Sequence, residues 1–261
     1  MTTRRSDAPT RSSDAPDYES RRAVDQYLLF HYGSTEEVLP YPFGPRDALG
    51  YPARCAHAAL DAAKETPRRA LDLGCAVGGT TFALALMCDE VVGIDLSSAF
   101  VAAAEALRRD GSLPYARVEE GDRTTQLVAR VPQGIDRSRV RFEVGDATAL
   151  PSGLGVFDVI VLANLIDRVA DPPRCLEQAG SLVRPGGVLF VSSPYTWLVE
   201  ATPRDRWLGG RAGAWSSFET LRTQLEPRFE LLQRREMPFL LREHARKYQW
   251  SVADATTWQR S

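Results

Sequence analysis

A ten-residue stretch rich in small residues constrains the fold of this chain more than any other feature. It reads Ala70-Leu-Asp-Leu-Gly-Cys-Ala-Val-Gly-Gly79, in which apolar residues run into Asp72 and glycines then bracket a turn. A helical pattern follows at residues 80–88. Glycine lets the backbone pass close to a ligand, and the first turn of a helix points free N–H groups into the same space. The stretch therefore predicts a buried strand, a ligand-binding turn and a helix, which is the local unit of an α/β fold.

Three classes of cofactor use a turn of this kind, and the residues within it separate them. A P-loop has a lysine after its last glycine, but Thr80 stands there. A dinucleotide site prefers a second glycine where the pyrophosphate is closest, but Ala76 occupies that position. S-adenosyl-L-methionine (SAM) has no phosphate and carries an ammonium group, which a carboxylate such as Asp72 would attract directly or through water.

Two further predicted strands end in an acidic residue. The strand Val91-Val-Gly-Ile-Asp95 ends about 20 residues after the first glycine, where a carboxylate accepts hydrogen bonds from ribose hydroxyls. Arg141-Phe-Glu-Val-Gly-Asp146 also ends in an acid, and the N–H of Ala147 follows it; both can reach an adenine ring. Each acid has a simpler interpretation, Asp95 as the N-cap of the next helix and Asp146 as a turn residue.

The order of these elements is more specific than any one of them. An apolar strand at 157–164 follows the two acidic strand ends, and a strand at 188–192 follows Pro-Gly-Gly. This order resembles the class I SAM-dependent methyltransferases. The resemblance implies a Rossmann-like α/β fold, with a seven-stranded, mostly parallel sheet, helices on both faces, and SAM as cofactor. The residues then expected to bind SAM are Asp72, Gly74, Cys75, Gly78, Asp95, Leu96, Asp146, Ala147 and Asn164.

Composition excludes several other classes of protein. The 261 residues carry a net charge of −2, with 44% hydrophobic and 25% charged residues, as in an ordinary globular domain. No basic excess indicates a nucleic-acid partner, and no apolar run predicts a membrane span. The four cysteines form no CxxC pair, so we expect neither a metal site nor disulfides, and a cytoplasmic location is the default.

The chain divides into three parts. Residues 1–17 are rich in Ser, Thr, Asp, Pro and Arg and are predicted to be a disordered tail. Residues 18–69 are predicted to form an N-terminal helical cap, and residues 70–261 the SAM-binding methyltransferase domain.

Two segments extend this architecture. A hairpin is predicted to be inserted at about 113–139, and the acids near its tip, Glu119, Glu120 and Asp122, either face a cationic substrate or are solvated. The last two strands are predicted at 229–237 and 246–258, antiparallel to the others at the sheet edge.

Six segments narrow the resemblance to one family. They are Tyr27-Leu-Leu-Phe-His-Tyr-Gly33, Asp72-Leu-Gly-Cys-Ala-Val-Gly78, Ala163-Asn-Leu-Ile-Asp-Arg168, Ser193-Pro-Tyr-Thr-Trp197, Trp207-Leu-Gly-Gly210 and Phe239-Leu-Leu-Arg-Glu-His-Ala-Arg-Lys247. Together they resemble the 4-mercaptohistidine (5-thiohistidine) N1-methyltransferases. In ovothiol biosynthesis these are the C-terminal module of a bifunctional sulfoxide synthase, or a free-standing relative of that module. The resemblance covers roughly residues 18–260.

The resemblance implies that the methyl group of SAM passes to an imidazole ring nitrogen of 5-thiohistidine, a small-molecule substrate. We expect the chain to lack a sulfoxide synthase domain of its own and to pair functionally with a separate synthase. A thioimidazole already carries a nucleophilic lone pair, so the reaction does not require a strong general base. We accordingly expect no histidine in the reaction centre.

Candidate catalytic and substrate-binding residues lie next to the predicted cofactor site. Asn164 ends a strand beside the expected methyl position, and Asp167 can accept from a ring N–H or an ammonium group, or cap the next helix. Arg242 can clamp the substrate carboxylate with both ends of its guanidinium group, or pair with Glu243 at the surface. We predict Asn164 and Asp167 to be catalytic, and the substrate-binding set to be Tyr32, Phe43, Asp167, Tyr195 and Arg242.

Two other functions remain open at this point. The chain could methylate another small molecule, such as a different imidazole or a carboxylate. It could also be a non-catalytic SAM-binding subunit, although the complete set of cofactor motifs argues against this.

Overall fold

The computed structural model describes residues 17–261, so the predicted tail, apart from Asp17, lies outside the described residues. The strands of the described part are β1 Arg69–Leu73, β2 Glu90–Asp95, β3 Ser112–Glu120, β4 Arg123–Arg130, β5 Val140–Val144, β6 Phe157–Ala163, β7 Val183–Ser193, β8 Phe229–His244 and β9 Lys247–Arg260.

Seven of these strands form one sheet, in the order β5-β2-β1-β6-β7-β9-β8. Strand β1 pairs in parallel with β2 and β6, and parallel pairing continues to β5 on one side and to β7 on the other. The strand order reverses between β1 and β6, and α/β proteins bind ligands in the crevice that such a reversal opens at the carboxyl ends of the strands. The predicted Rossmann-like α/β fold with a seven-stranded, mostly parallel sheet is confirmed.

The prediction that both final strands run antiparallel to the others is wrong for β8. Strand β9 is antiparallel to β7 and to β8, so β8 runs in the same direction as β1. Both strands are also longer than predicted. Strand β8 continues through Pro238 to His244, and β9 continues to Arg260. Proline is tolerated there since β8 is the edge strand of the sheet, where an N–H can face away from the ladder.

Five of the seven α-helices in the described part begin where the sequence supplies a capping side chain, and the other two begin after a glycine. Ser20 accepts a hydrogen bond from the N–H of Ala23, and Asp171 from that of Arg174, each of which satisfies an otherwise unpaired donor. None of these helices combines the length and apolar character needed to cross a membrane. They are α1 Arg21–Tyr32, α2 Thr35–Val38, α3 Tyr51–Leu60, α4 Gly79–Leu84, α5 Ser98–Asp110, α6 Pro172–Leu182 and α7 Ser217–Leu225.

Buried side chains form two large clusters, one on each face of the sheet. Neighbouring residues of β1 show the division: Ala70 packs with α1, α3, α4 and α5, whereas Leu71 packs with α6 and α7, because successive side chains of a strand point to opposite faces. Helices therefore cover both faces, as predicted. Because α1 and α3 share a cluster with the sheet, the predicted cap has no separate core, and the division at residue 70 stays a prediction.

A hairpin is inserted between α5 and β5, as predicted. Strands β3 and β4 pair as a separate two-stranded antiparallel sheet. Arg117 Nη1 donates to Glu37 O at 2.9 Å, and Arg242 Nη2 donates to Glu119 Oε2 at 2.6 Å. The hairpin is thus fastened to α2 and β8. Glu119 is bound to protein arginines, and the proposal that it faces a cationic substrate is not supported.

Two glycines with nearly the same backbone conformation test how tightly this core is packed. Gly78 has φ +87°, and a Cβ there would lie 2.6 Å from Phe142 Cζ; Gly134 has φ +86° and open space around it. We expect Gly134→Ala to lower the free energy of unfolding by about 1–2 kcal/mol through strain alone. Gly78→Ala should lower it by about 1–3 kcal/mol more, because of overpacking. Urea denaturation followed by circular dichroism measures both, and equal losses would contradict the close packing at Gly78.

Candidate active site

A cavity of about 570 Å³ lies at the carboxyl ends of β1 and β6, where the strand order reverses. We call it the first cavity. Most of the predicted cofactor residues line it, and they come from the ends of four different strands. These residues are Gly74, Cys75, Asp95, Leu96, Asp146, Ala147 and Asn164.

The turn after β1 folds back over the end of β2. The N–H groups of Gly74 and Cys75 both donate to the carbonyl of Ile94, at 2.8 and 3.1 Å. Gly74 has φ +72°, and a Cβ there would lie 2.7 Å from the side chain of the leucine in the loop after β6. This position therefore requires glycine. The N–H of Ala76 donates to Asp95 Oδ2 at 2.8 Å. A carboxylate at the end of β2 thus fixes the shape of the turn.

Asp95 also orders the loop that leads into α5. Its Oδ1 accepts from the N–H of Ser97 at 2.9 Å, and Ser97 Oγ accepts from the N–H of Phe100. The N-cap of α5 is therefore Ser97, and the alternative interpretation of Asp95 as the cap is wrong. Burial raises the pKa of Asp95. Each of its carboxylate oxygens has a further lone pair, so both can still accept from ligand hydroxyls.

Asp146 and Ala147 combine a turn with open hydrogen-bonding groups. Asp146 Oδ1 accepts from the N–H and Oγ1 of Thr148, both at 2.7 Å, so the turn interpretation holds. Within residues 17–261, no group hydrogen-bonds to Asp146 Oδ2 or accepts from the N–H of Ala147. An acceptor and a donor side by side on the cavity wall match the amino group and a ring nitrogen of adenine.

Asp72 and Gly78 lie behind the wall of the first cavity, not on it. Asp72 is 1% exposed, and its Oδ2 accepts from Thr81 Oγ1 at 2.6 Å. Burial raises the pKa of Asp72 to about 7, because desolvation disfavours the charged form and no cation compensates. The expectation of a direct contact between Asp72 and a cofactor ammonium is therefore corrected, while its negative charge still acts on the cavity from beneath the turn.

A chain of hydrogen bonds fixes Asn164 at the end of β6. The residue has φ +53°, and its N–H donates to Ser192 O at 2.9 Å. Tyr51 Oη donates to Asn164 Oδ1 at 2.8 Å and lies 2.7 Å from Ser192 Oγ. With Oδ1 engaged by Tyr51, the Asn164 amide presents its NH₂ group as a donor. Tyr51 could not be predicted from the sequence, because a tyrosine next to an alanine-rich helical pattern is typical of ordinary packing.

A second cavity of about 690 Å³ adjoins the first, between α1, the hairpin and β8. Nine charged side chains line it, against six in the described wall of the first cavity. The two cavities share six wall residues: Tyr18, Tyr27, Asn164, Arg168, Phe239 and Leu241. Asn164 thus stands where an apolar chamber meets a polar one.

Asp167 and Arg168 stand at this junction. Asp167 is fully buried, and its Oδ2 accepts from Arg168 Nη1 and from the N–H of Thr196, both at 2.9 Å. Its Oδ1 has no hydrogen-bond partner among the described residues, and burial raises its pKa. Arg168 makes its hydrogen bonds within the described part through Nη1 alone. The alternative that Asp167 caps the next helix is wrong, since Asp171 caps α6.

The predicted clamp at Arg242 is corrected. Arg242 is 4% exposed, its Nη2 donates to Glu119, and its Nη1 donates to Glu37 O at 2.9 Å. Both ends of the guanidinium group are therefore occupied, and a bidentate contact with a substrate is not available. The alternative pair with Glu243 is also absent, because Glu243 pairs with Lys247. Arg242 lines the second cavity and fastens the hairpin.

Three predicted substrate-binding aromatic residues lie outside both cavities. Phe43 is 71% exposed and stacks on Tyr41, so it is not placed to contact a substrate in either cavity. Tyr32 Oη donates to Val77 O at 2.6 Å, and Tyr195 Oη donates to Asp254 Oδ2 at 3.1 Å. These roles are corrected.

Other aromatic side chains take their place on the wall of the first cavity. Tyr27 and Phe30 come from α1, and Phe239 from β8; the rings of Tyr51 and Phe239 lie 5.0 Å apart. His31 also lines this cavity, so one histidine borders the predicted cofactor site, while the absence of a histidine from the reaction centre stays a prediction. The sequence carried a signal for this wall, since Tyr27, Phe30 and His31 recur at helical spacing, but the same spacing is typical of a packed core.

The assembled site is suited to a ligand with a cationic end and a nucleoside end. Carboxylates stand at the ends of β1, β2 and β5, and the backbone of the glycine turn closes under them. The polar residues expected to hold SAM are therefore in one place, except that Asp72 acts through the turn. Nothing in the first cavity resembles a cluster of basic side chains for phosphates: Arg168 is the one cation among its described wall residues.

Comparison with known proteins agrees with this geometry. A family model described as a methyltransferase domain matches residues 49–232. Ajmaline N-methyltransferase of Rauvolfia serpentina is 26% identical over 134 residues, which cover 51% of this chain and 38% of that protein. A ubiquinone biosynthesis O-methyltransferase of Marinobacter nauticus is 26% identical over 126 residues, 48% of this chain and 44% of that protein. The chain thus spans less than half the length of these curated relatives.

The solved structure of a magnesium protoporphyrin IX methyltransferase from Synechocystis, with bound SAH, shares the fold. It superposes with a TM-score of 0.56 at 16% identity, covering 94% of this chain and 97% of that one. Because the family model covers more than half of its length, the chain belongs to the methyltransferase domain family.

Proposed function

We propose that this enzyme methylates an imidazole ring nitrogen of 5-thiohistidine, the last step in making an ovothiol. The main support is the convergence of separate segments on the two cavities. The segments that resemble thiohistidine N-methyltransferases supply Tyr27, Phe30, Asn164, Arg168 and Phe239 to the cavity walls. Residues that are distant along the chain and carry the family resemblance thus surround one space.

SAM fits the first cavity in one orientation under this proposal. Asp95 holds the ribose hydroxyls, while Asp146 Oδ2 and the Ala147 N–H hold the adenine. The ammonium end then lies over the turn, where the buried charge of Asp72 attracts it. Bound SAM supplies an electrophilic methyl group on a sulfonium.

The second cavity accepts the amino acid end of the substrate. Asp167 Oδ1 is a buried acceptor without a hydrogen-bond partner among the described residues, and its side chain lines this cavity. It suits an ammonium group, whereas Asp25 on the same wall is already paired with Arg21 at 2.9 Å. Arg168 suits the carboxylate, since only its Nη1 is engaged. Arg168 replaces Arg242 in this role because the terminal nitrogens of Arg242 are occupied.

The reaction mainly requires that the two ligands are aligned and that water is excluded from the site. The ring nitrogen must approach the methyl carbon opposite the sulfur, and holding the two ligands in that geometry removes most of the entropic barrier. Tyr27, Phe30 and Phe239 exclude water from the junction. The NH₂ group of Asn164 orients the acceptor, and no side chain has to take a proton from a nitrogen that already carries a lone pair.

A second candidate is methylation of another small molecule, either a different imidazole or a carboxylate. The relatives, an ajmaline N-methyltransferase and a ubiquinone biosynthesis O-methyltransferase, favour keeping it open. A non-catalytic SAM-binding role is the least favoured. Pairing with a separate sulfoxide synthase, and a cytoplasmic location, belong to the first proposal.

Asp72 gives the binding of SAM a defined pH dependence. Its pKa of about 7 in the free protein should fall when a cation binds nearby, so binding releases a proton below that pH. We expect the affinity for SAM to rise roughly tenfold between about pH 5.5 and 7. Asp72→Asn should bind more weakly and lose most of this dependence. Isothermal titration in two buffers of different ionisation enthalpy measures both, and a pH-independent wild-type affinity would contradict the role of Asp72.

Tyr51 should affect turnover more than cofactor binding. Tyr51→Phe removes the hydroxyl that orients Asn164, so we expect kcat to fall roughly tenfold while the affinity for SAM changes less than about threefold. Tyr195→Phe is the matched control, because its hydroxyl bonds to Asp254 outside both cavities, and its kcat should stay close to that of the wild type. Steady-state kinetics and SAM titration compare them; an equal loss in both variants would remove Tyr51 from the site.

The substrate proposal is tested by the mass of the product. The purified protein is incubated with SAM and, separately, with 5-thiohistidine, histidine and histamine. We expect thiohistidine alone to gain one methyl group, and Asn164→Ala to lower the rate of transfer at a temperature well below the melting temperature of the variant, where the strain of alanine at positive φ leaves the protein folded. Methylation of histidine or histamine but not of thiohistidine would replace the first proposal by the second. SAM binding without any transfer would favour the non-catalytic role.

A further inference from the structure

His31 is a half-buried polar residue that the mechanism above does not use. It lies in the last turn of α1, and its Nδ1 accepts a hydrogen bond from the N–H of Gly79 at 3.0 Å. An imidazole nitrogen that accepts carries no proton, so in the neutral ring the proton is on Nε2. Burial lowers the pKa of His31 to about 3, and the ring stays neutral near pH 7. The side chain therefore offers a donor at Nε2 and no free base.

The ring is held in this orientation. A Cβ on Gly79 would lie 2.6 Å from His31 Nδ1, so the backbone of the turn and the ring are in close contact. The rings of Phe30 and Tyr27 lie 5.4 and 6.0 Å from the imidazole. Nε2 makes no hydrogen bond with the described residues, and part of its surface is accessible. It is thus left facing open space, and the open space that His31 borders is the first cavity.

The charges around this cavity are unfavourable for one part of SAM, its carboxylate. Its described wall carries five carboxylates, on Asp17, Glu19, Asp95, Asp146 and Glu200, and one guanidinium group, on Arg168. Such a wall attracts a sulfonium and an ammonium but repels a carboxylate. A carboxylate placed at the glycine turn therefore requires neutral N–H donors, because these add hydrogen bonds without adding a charge to a buried site.

We propose that the Nε2–H of His31 donates a hydrogen bond to the methionyl carboxylate of SAM. The inference depends on SAM as cofactor and not on the identity of the methyl acceptor. His31 reaches the cofactor at the start of α4, where its Nδ1 is anchored to the turn that holds the same end of the ligand. It is a binding residue, and the contact fixes which end of SAM lies at the turn.

Two variants separate the two nitrogens of the ring. In His31→Asn the side-chain oxygen can take the place of Nδ1 and keep the bond from Gly79, but nothing reaches the position of Nε2. In His31→Gln the longer amide can place an N–H at the position of Nε2, and the contact with Gly79 is lost. We expect His31→Asn to weaken SAM binding roughly tenfold or more, and His31→Gln to bind within about threefold of the wild type.

Decarboxylated SAM is the matched ligand, because it lacks only the group in question. Isothermal titration should show that the wild-type protein prefers SAM to decarboxylated SAM, and that His31→Asn loses most of this preference. An undiminished preference in His31→Asn would overturn the proposal, as would weaker binding of both ligands by the same factor. The wild-type comparison stands even if a variant does not fold: equal affinity for the two ligands would also overturn it.

The result is distinguishable from failure of the proposed substrate. Titration with SAM uses no acceptor, so it is unaffected if thiohistidine is not methylated. A variant that binds SAM normally but has a raised KM for the acceptor would overturn the proposal and assign His31 to the acceptor instead.

Discussion

The site depends on how the turn after β1 is fastened without being covered. Two of its N–H groups bond to Ile94 O and a third bonds to the carboxylate of Asp95, so β2 satisfies the backbone of β1 from the side. The other face of the turn is left for a ligand. The strand order makes this possible, because β2 lies on one side of β1 while the chain crosses to β6 on the other. Gly74 is required because the backbone there must bond to β2 on one side and leave room for a ligand on the other.

Buried negative charge is the second organising feature. Asp72 lies under the turn and Asp95 at its edge, and burial raises the pKa of both. Neither has a cationic partner among the hydrogen bonds and ion pairs of the described residues. A cationic ligand relieves this cost, so an arrangement that is unfavourable in the empty protein contributes to affinity and to selectivity against phosphate-bearing cofactors.

The sequence was informative where one local rule determines both identity and position. Glycine at Gly74 and acids at the ends of predicted strands are local features, and parallel pairing then brought them together at one edge. The fold, the cofactor wall and Asn164 could therefore be predicted. The polar partners of Asn164 could not, because Tyr51 meets it only through the packing of α3 against β6 and β7.

Long-range pairing also explains the failures at the substrate side. Arg242 is neutralised by Glu119, which lies in the hairpin far away in the chain, and no spacing rule predicts that contact. Phe43 and Tyr195 looked suitable because aromatic residues often border ligands, but their depth is set by tertiary packing. A role for His31 could not be predicted either, because only the structure shows that its Nδ1 accepts from the N–H of Gly79.

The burial of α1 limits how ligands can enter and leave the first cavity. One side of this helix forms the aromatic wall of the first cavity, while Leu28 and Leu29 on it are 0% and 3% exposed in the core of the sheet. Moving α1 away from the sheet would expose both leucines to water, which costs a free energy of about 1.5–3 kcal/mol for each. The segment between β7 and α7 brings Glu200 and Ala201 to the wall of the same cavity, and the next residue, Thr202, is anchored through its Oγ1, which donates to Val169 O at 2.7 Å. Displacement of α1 is therefore a costly route for ligand exchange, because it would draw part of the core into water.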